Sequence, residues 1–326
     1  MIHGIMKEDE AKNAVWDYGR SKDPDPDGFF FAFVKKYWDD IKVDILEYVN
    51  IFLGTGSLPR GSNSSFFTLI PKVINHVFIK DFHPISLIGV HYKIIAKILA
   101  NSLAKVIDKI VSHEQSAFID GRQILDGHLI LNFVLLNLGF VSKWRFWIRA
   151  YLSSSRVLVL VNGSPTSEFS INRGLRQGDP LSSFLFILVM VGLHNALSTT
   201  VSSSFRRGIK FGSLELNISH IFYVDDVIIT TEWNANDLDN IIRVLQVFYF
   251  ASGLKINIQK SNVHGIGVSD VDISFMASNY GCASGSYPFT YLGLPIGSNM
   301  SLHRVGRFYW TSFNRSYLHG RLISFL

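Results

Sequence analysis

Two adjacent carboxylates, Asp225 and Asp226, stand in the run Ile221-Phe222-Tyr223-Val224-Asp225-Asp226-Val227-Ile228-Ile229. Like charges side by side repel unless a cation holds them, and a hard divalent ion such as Mg²⁺ seeks oxygen ligands of this kind. A paired-metal site drives phosphoryl and nucleotidyl transfer by clamping the attacking and leaving oxygens. Apolar residues on both sides predict two strands and a tight turn, a hairpin over 218–231 with the acids at its tip. Asp-Asp is also a frequent exposed turn pair. The rest of the chain must decide between a metal site and a solvated turn.

Other residues offer partial chemistry. Lys72, Arg173, Arg176 and Lys260 could line a nucleic-acid channel or be solvated surface charges. Trp144, Arg145, Trp147 and Arg149 mix aromatic and basic groups as single-strand binders do. The same spacing fits an amphipathic helix with its tryptophans in the core, and that reading is preferred. The histidines are scattered, with no zinc-like spacing. Cys282 is the one cysteine of the chain. No disulfide partner exists for it within the sequence, and it is expected to be a small buried apolar residue.

The elements that must position these groups follow from periodicity. Helices are predicted over 7–20, 29–52, 91–111, 181–197 and 237–252, the last stopped by Gly253. The 181–197 segment is apolar on most faces and should be buried. Asp179 and Pro180 supply its N-cap and first helical residue. A strand is predicted over 66–71, and a hairpin over 157–171 with Asn162-Gly163 at its turn. Residues 172–179 form a basic, glycine-containing loop. Residues 291–297 form a short strand–turn element.

Composition sets the limits. The chain has 326 residues, 48% of them hydrophobic and 17% charged, ample for a core and unlike a disordered chain. With 31 Lys+Arg against 26 Asp+Glu, the mild basic excess permits nucleic-acid binding without demanding it. The first ten residues lack the apolar core of a secretory signal, so a nuclear or cytoplasmic, non-secreted protein is expected. No uninterrupted apolar run reaches the roughly 18 residues of a membrane span, so no membrane partner is expected. The nearest run, 129–141, is broken by Asn132, Asn137 and Gly139.

Several motifs stand in order along the chain: Pro26-Asp27-Gly28, Leu69-Ile70-Pro71-Lys72, Pro84-Ile85-Ser86-Leu87, Gln115-Ser116-Ala117-Phe118 and Gly174-Leu175-Arg176-Gln177-Gly178-Asp179-Pro180-Leu181. Tyr223-Val224-Asp225-Asp226, Ser252-Gly253-Leu254-Lys255-Ile256-Asn257 with Lys260-Ser261, and Tyr291-Leu292-Gly293 follow. With them the chain resembles the reverse transcriptase domain of non-LTR (LINE-type) retroelements, most like those of plants. The resemblance runs from about residue 10 to about residue 300. It implies an α+β right-hand polymerase with fingers, a palm built on an antiparallel sheet with flanking helices, and a truncated thumb. The corresponding division is an N-terminal helical segment at 1–60, fingers at 61–125, palm at 126–265, and primer grip with truncated thumb at 266–326.

The same resemblance implies RNA-directed DNA polymerisation with an RNA template, a DNA primer, dNTP substrates, and Mg²⁺ or Mn²⁺ as cofactor. Asp225 and Asp226 match the palm carboxylates, catalytic and metal-binding at once. Gln177 and Gly178 match the loop against the incoming nucleotide and template. Lys72, Arg173, Arg176 and Tyr223 join the substrate- and nucleic-acid-binding set. Lys260 matches a lysine proposed to approach the phosphates, and Tyr291 and Gly293 belong to the primer-grip hairpin.

The chain also departs from that pattern. The family places a further palm strand, carrying another catalytic aspartate, between segments that here meet near Phe133 and Val134. The palm is therefore expected to be incomplete, with an internal deletion near 133, the third carboxylate absent, and the Asp-Asp hairpin deprived of a sheet neighbour. Asp120 and Asp126 match other positions. His83 stands where an arginine is usual, Ser102 where a basic residue is, Asp25 for a turn glycine, and Ser183 for a proline. The pattern fades after Leu302. Three readings stay open: a polymerase, impaired by the missing acid or using an unrecognised third ligand; a non-catalytic nucleic-acid-binding remnant; and a relic without a role.

Overall fold

The structure is a computed structural model that describes residues 6–19, 27–59, 61–72, 74–75, 77–78, 81–110, 135–136, 138–161, 164–171, 175–211, 216–223, 225–286, 288–291, 294–296 and 321–325. The junction near Phe133 and Val134, Asp120, Asp126, the Gln115–Phe118 motif, Arg173 and Gly293 lie outside them. The chain is a mixed helix-and-sheet protein in two compact units. One unit comprises Met1–Ser112, Ile119–Gly192 and Ala251–Leu254; the other comprises His113–Phe118, Leu193–Phe250 and Lys255–Leu326.

The first unit opens with α1 (Glu8–Trp16), α2 (Phe31–Lys36) and α3 (Trp38–Thr55). The helix predicted over 29–52 is thus two helices, broken at Tyr37, whose φ of −103° and ψ of 22° leave the helical region. Phe33 and Tyr37 pack ring on ring at the break, with centroids 4.8 Å apart. α3 stops at Gly56, which takes the left-handed φ of 65° and donates its amide to the Phe52 carbonyl at 2.7 Å. Next come β1 (Ser64–Pro71), β2 (Phe82–Ile88), α4 (Val90–Ile110), α5 (Ser142–Ser153), β3 (Arg156–Val161), β4 (Ser164–Pro165), β5 (Phe169–Ser170) and α6 (Ser182–Ser202). The core draws on Val49, Phe52 and Leu53 of α3, Ile95, Leu99 and Leu103 of α4, and Trp144, Trp147 and Tyr151 of α5. Trp147 Nε1 donates to the Leu53 carbonyl at 2.9 Å, so the tryptophans of α5 face inward while Arg149 stays exposed.

In this unit's sheet, β1 lies between β2, antiparallel, and β3, parallel. β3 turns back on β4 and β5, as the predicted hairpin requires, with Val161 opposite Ser164. Periodicity did not predict β2, because Pro84 reads as punctuation. It is tolerated here because β2 is an edge strand, where a missing N–H costs no ladder bond.

The second unit takes up α6 from Leu193 and continues through β6 (Ile209–Phe211), β7 (Leu216–Ile218), β8 (His220–Tyr223), β9 (Asp226–Thr231) and α7 (Ala235–Ser252). Beyond a 3₁₀ turn at Ile258–Lys260 it adds β10 (Asn262–His264), α8 (Asp270–Tyr280), β11 (Ala283–Gly285), β12 (Phe289–Tyr291), β13 (Leu294–Ile296) and β14 (Arg321–Phe325). The main sheet has the order β11-β10-β14-β9-β8, antiparallel except for the parallel pair β10–β11. Phe222, Val227, Ile228 and Ile229 bury the hairpin in the core.

Two expectations are corrected. The Asp-Asp hairpin does not lack a sheet neighbour: β14 pairs with β9 from Phe325 opposite Val227 to Arg321 opposite Thr231. The backbone of β14 thus satisfies the β9 ladder along this edge. And α6 is long and apolar enough to cross a membrane by length and composition, which a search for uninterrupted apolar runs missed because Ser, Gly, His and Asn punctuate it. Half of its most apolar stretch is buried inside the protein, and Leu185, Leu188, Leu193 and Leu197 are core residues, as in a central core helix.

Candidate active site

The acidic tip sits where the sequence placed it. Tyr223, the last residue of β8, is opposite Asp226, the first of β9, and Asp225 stands in the turn between the two strands. Strand alternation sends Phe222 into the core and leaves Tyr223 38% exposed. Asp225 is exposed and Asp226 half-buried. The Asp226 carboxyl is pushed above the ordinary range, first by burial and then by the charge of Asp225. A hard cation would relieve that repulsion.

Tyr291 stands in a separate antiparallel pair, β12–β13, opposite Leu294. Its side chain is only 8% exposed. Its hydroxyl is buried with no hydrogen-bond partner among the described residues. Burial, followed by the charge of Asp226, then Tyr223 and Asp225, pushes the phenol up to about 12.

Lys260 reaches the same end of the sheet. Asn262 is opposite Ser324, and Ser324 is opposite Ile228, so Asn262 is level with Ile228. Lys260 and Asp226 each lie two residues upstream of those positions. Lys260 ends the 3₁₀ turn that precedes β10, while Asp226 is the first residue of β9. Lys260 is exposed at the end of its 3₁₀ turn. Among the described residues no group of three or more His, Cys, Asp and Glu side chains could share a metal ion. A two-carboxylate site still suits Mg²⁺, which is commonly bound by one or two carboxylates together with substrate phosphates.

The Arg176–Asp179 segment belongs to the first unit and is a structural knot. Arg176 is 4% exposed, and its Nη2 donates to Asn63 Oδ1 and to Ser155 Oγ. Its guanidinium lies 4.5 Å from the Tyr92 ring centroid, and Tyr92 stacks on Tyr151 at 4.6 Å. The Tyr151 hydroxyl donates to Asp179 Oδ2 at 2.5 Å, while Asp179 Oδ1 accepts from the Leu181 amide at 2.9 Å. Burial pushes the Asp179 carboxyl up, and the charge of Arg176 opposes that. Asp179 thus caps the turn that leads into α6, which begins at Ser182 rather than at the predicted Pro180.

Gln177 and Gly178 sit at the surface of this knot. The Ser86 amide donates to the Gln177 carbonyl at 3.0 Å, so the Pro84–Leu87 and Arg176–Asp179 motifs meet. Gly178 has φ of 93°, and a Cβ there would lie 3.2 Å from the Ser86 carbonyl oxygen. No other residue fits that approach without strain. Asp27 is also an anchor: its Oδ2 accepts from the Val90 amide at 2.8 Å and caps α4 from 63 residues away. Lys72 is exposed at the end of β1, its amide donating to the Asp81 carbonyl at 2.7 Å.

Sequence reasoning missed the groups that support these motifs. Asn63, Tyr92 and Tyr151 carry no motif signal; long-range packing alone assembles them around Arg176. Behind the acidic hairpin, His194 Nδ1 and His220 Nε2 are 2.7 Å apart. Buried Arg206 donates to the Ser219 and Thr230 carbonyls at 3.0 and 2.7 Å.

A family model described as reverse transcriptase (RNA-dependent DNA polymerase) matches residues 128–296, just over half of the chain. That stretch contains Arg176–Asp179, the acidic hairpin, Lys260 and Tyr291. The chain is 25% identical over 287 residues to the transposon TX1 uncharacterized 149 kDa protein of Xenopus laevis, covering 78% of this chain and 22% of that protein. It is 25% identical over 303 residues to the retrovirus-related Pol polyprotein from the type-1 retrotransposable element R2 of Popillia japonica, covering 81% and 40%. An uncharacterized mitochondrial protein of Arabidopsis thaliana is 36% identical over 70 residues, 22% of this chain and 57% of that protein. The chain thus spans well under two thirds of the length of the TX1 and R2 relatives.

Proposed function

The chain belongs to the reverse transcriptase family as a domain related to those of non-LTR retrotransposons, and from that premise we propose that Asp225 and Asp226 bind Mg²⁺ and, through it, the triphosphate of an incoming dNTP. The observation that carries the reading is the acidic hairpin tip, with Asp226 half-buried beside exposed Asp225. Nucleotidyl transfer needs positioning and charge neutralisation more than covalent chemistry. The bound cation supplies the charge for the phosphates. Asp225 and Asp226 hold it, and Lys260 at the same sheet end is placed for a phosphate oxygen. Gln177 and Gly178 present a side chain and a bare backbone to nucleotide and template. Lys72 and Arg173 add basic charge, and the Tyr291–Gly293 hairpin grips the primer end. Arg176 acts from the core by fixing the loop. The division into fingers, palm and truncated thumb, a plant origin and a nuclear or cytoplasmic location belong to the same proposal; the Arabidopsis thaliana similarity favours the origin.

The polymerase is impaired. β14, the strand beside β9, carries no carboxylate, so nothing there completes the acidic set. Loss of one member of a catalytic unit commonly lowers the rate by several powers of ten. The apolar junction near 133–134 marks a deleted palm strand, and the flanking genomic DNA would show whether a coding segment was skipped. Primer extension on an RNA template with dNTPs and Mg²⁺ or Mn²⁺ tests the activity. Slow incorporation that Asp225→Asn abolishes supports it; no incorporation at any metal concentration removes it. Among the described residues no third acid joins the pair, which favours a second reading, a binding domain without catalysis. That reading requires RNA affinity that falls steeply with salt.

A further inference from the structure

Asn63 immediately precedes β1 and Ser155 immediately precedes β3, at the starts of two parallel neighbours. Arg176 Nη2 donates to both, to Asn63 Oδ1 and to Ser155 Oγ at 2.6 Å. The other terminal nitrogen of Arg176, Nη1, is buried with no hydrogen-bond partner among the described residues. The bonds of Nη2 therefore carry the tie between this guanidinium and the sheet. The opposite end of the Asn63 carboxamide holds α5: its Nδ2 donates to the Tyr151 carbonyl at 3.1 Å and to Ser154 Oγ at 2.6 Å. This set fixes which end of the amide meets Arg176, because the reverse orientation would set donors against donors. Asn63 is itself buried, and its backbone carbonyl accepts from the Arg156 amide at 3.1 Å. The two residues after Arg176 are held by backbone instead. The Gln177 carbonyl accepts from the Ser86 amide, and Gly178 lies against the Ser86 carbonyl. Ser86 is opposite Phe67 of β1, so the loop is pinned to one sheet at two separate places.

We propose that Asn63 is a positioning residue for nucleotide binding: through Arg176 it sets where Gln177 and Gly178 stand relative to the β1–β2–β3 sheet, and so how they meet the incoming dNTP. The inference rests on the reading of Gln177 and Gly178 as the nucleotide-facing loop. Asn63 is covered by protein and acts only through Arg176. Loss of its acceptor would leave the guanidinium held by Ser155 alone, and the loop would turn about its remaining contact with β2.

Titration of the next complementary dNTP onto the full chain tests this, with saturating RNA template, a dideoxy-terminated DNA primer and Mg²⁺. The fluorescence of a 2-aminopurine beside the templating base reports binding, and thermal unfolding is followed in parallel. Asn63→Ala removes both ends of the carboxamide. It is expected to weaken dNTP affinity about 10–100-fold, since a misplacement of about 1 Å remote from the chemistry can cost that much. Asn63→Asp keeps an acceptor for Arg176, now charge-assisted, and loses the donor to Tyr151. It is expected to unfold at a lower temperature, like Asn63→Ala, yet to restore dNTP affinity. Equal loss of affinity in the two variants, or unchanged affinity in Asn63→Ala, overturns the inference. Ser155→Ala is a milder cut of the same tie; where Asn63→Ala does not fold, weakened affinity in Ser155→Ala supports the inference and unchanged affinity overturns it. Gln177→Ala reads the premise separately. If it binds dNTP like wild type, or if wild type binds none, the nucleotide-facing loop is removed and the inference falls with it. If Gln177→Ala is weakened and Asn63→Ala is not, Asn63 alone loses its role.

Discussion

Asp179 shows how one side chain serves two elements. It caps the turn into α6 and receives the Tyr151 hydroxyl, inside a knot that also holds Arg176. Asp179→Ala should therefore remove a cap, about 1 kcal/mol, and a charge-assisted hydrogen bond, about 1.5–3 kcal/mol. It would also leave the Arg176 guanidinium buried beside an uncharged residue. Urea unfolding should show a loss of about 2–4 kcal/mol with unchanged m-value; a loss under about 0.5 kcal/mol would contradict the knot. Gly178→Ala tests the neighbouring backbone. With φ of 93° and the Ser86 oxygen 3.2 Å from the new Cβ, it should strain the loop and lengthen the Ser86–Gln177 bond. Faster hydrogen exchange at the Ser86 amide is the expected readout, with the rest of β2 unaffected.

Among elements, the His194–His220 contact links α6 to β8, the strand that leads into the acidic turn. Burial, followed by the nearby His194 and Arg206, holds the His220 imidazole down to about 3. Unfolded, it titrates near 6.5. The folded state disfavours the proton, so the stabilisation is complete above about pH 6.5 and is lost as pH falls toward 3, by up to about 1.4 kcal/mol per pH unit. Asp179 and Asp226, whose folded carboxyls are raised, act in the opposite sense in the acid range. Comparison with His220→Gln isolates the histidine: the variant should lose less stability than wild type between pH 6.5 and 4 in chemical denaturation. Parallel curves would show that His220 does not control that slope.

Elements with strong local periodicity were legible in the sequence. α4, α6, α7 and the acidic hairpin stand within a few residues of their predicted spans. The break at Tyr37 was not legible, because the apolar pattern runs through it unbroken. β2 was hidden by Pro84, whose tolerance depends on an edge position that only the sheet order reveals. Of the candidate site, the acidic pair could be read directly from its motif. The orphaned Tyr291 hydroxyl and the burial of Arg176 could not, because each depends on residues distant in sequence, such as Asn63, which lies 113 residues from Arg176.

At the scale of the whole molecule, the second unit depends on its last described strand. β14 joins β9 to β10 and so unites the acidic hairpin with the Lys260 end of β10 in one sheet. Without it β9 would present an open edge of apolar strand, and the register that sets Asn262 level with Ile228 would have nothing to fix it. Removing residues 321–326 should then have two effects in one experiment. Hydrogen exchange should accelerate at the amides of β9 and β10, while those of β1 and β3 in the other unit keep their protection. Size-exclusion chromatography should show concentration-dependent association, because an exposed central strand templates pairing with another chain. If the shortened chain stays monomeric with protected β9 amides, β14 is an accessory to the sheet rather than the strand that closes it, and the alignment of β10 with the acidic hairpin loses its structural basis.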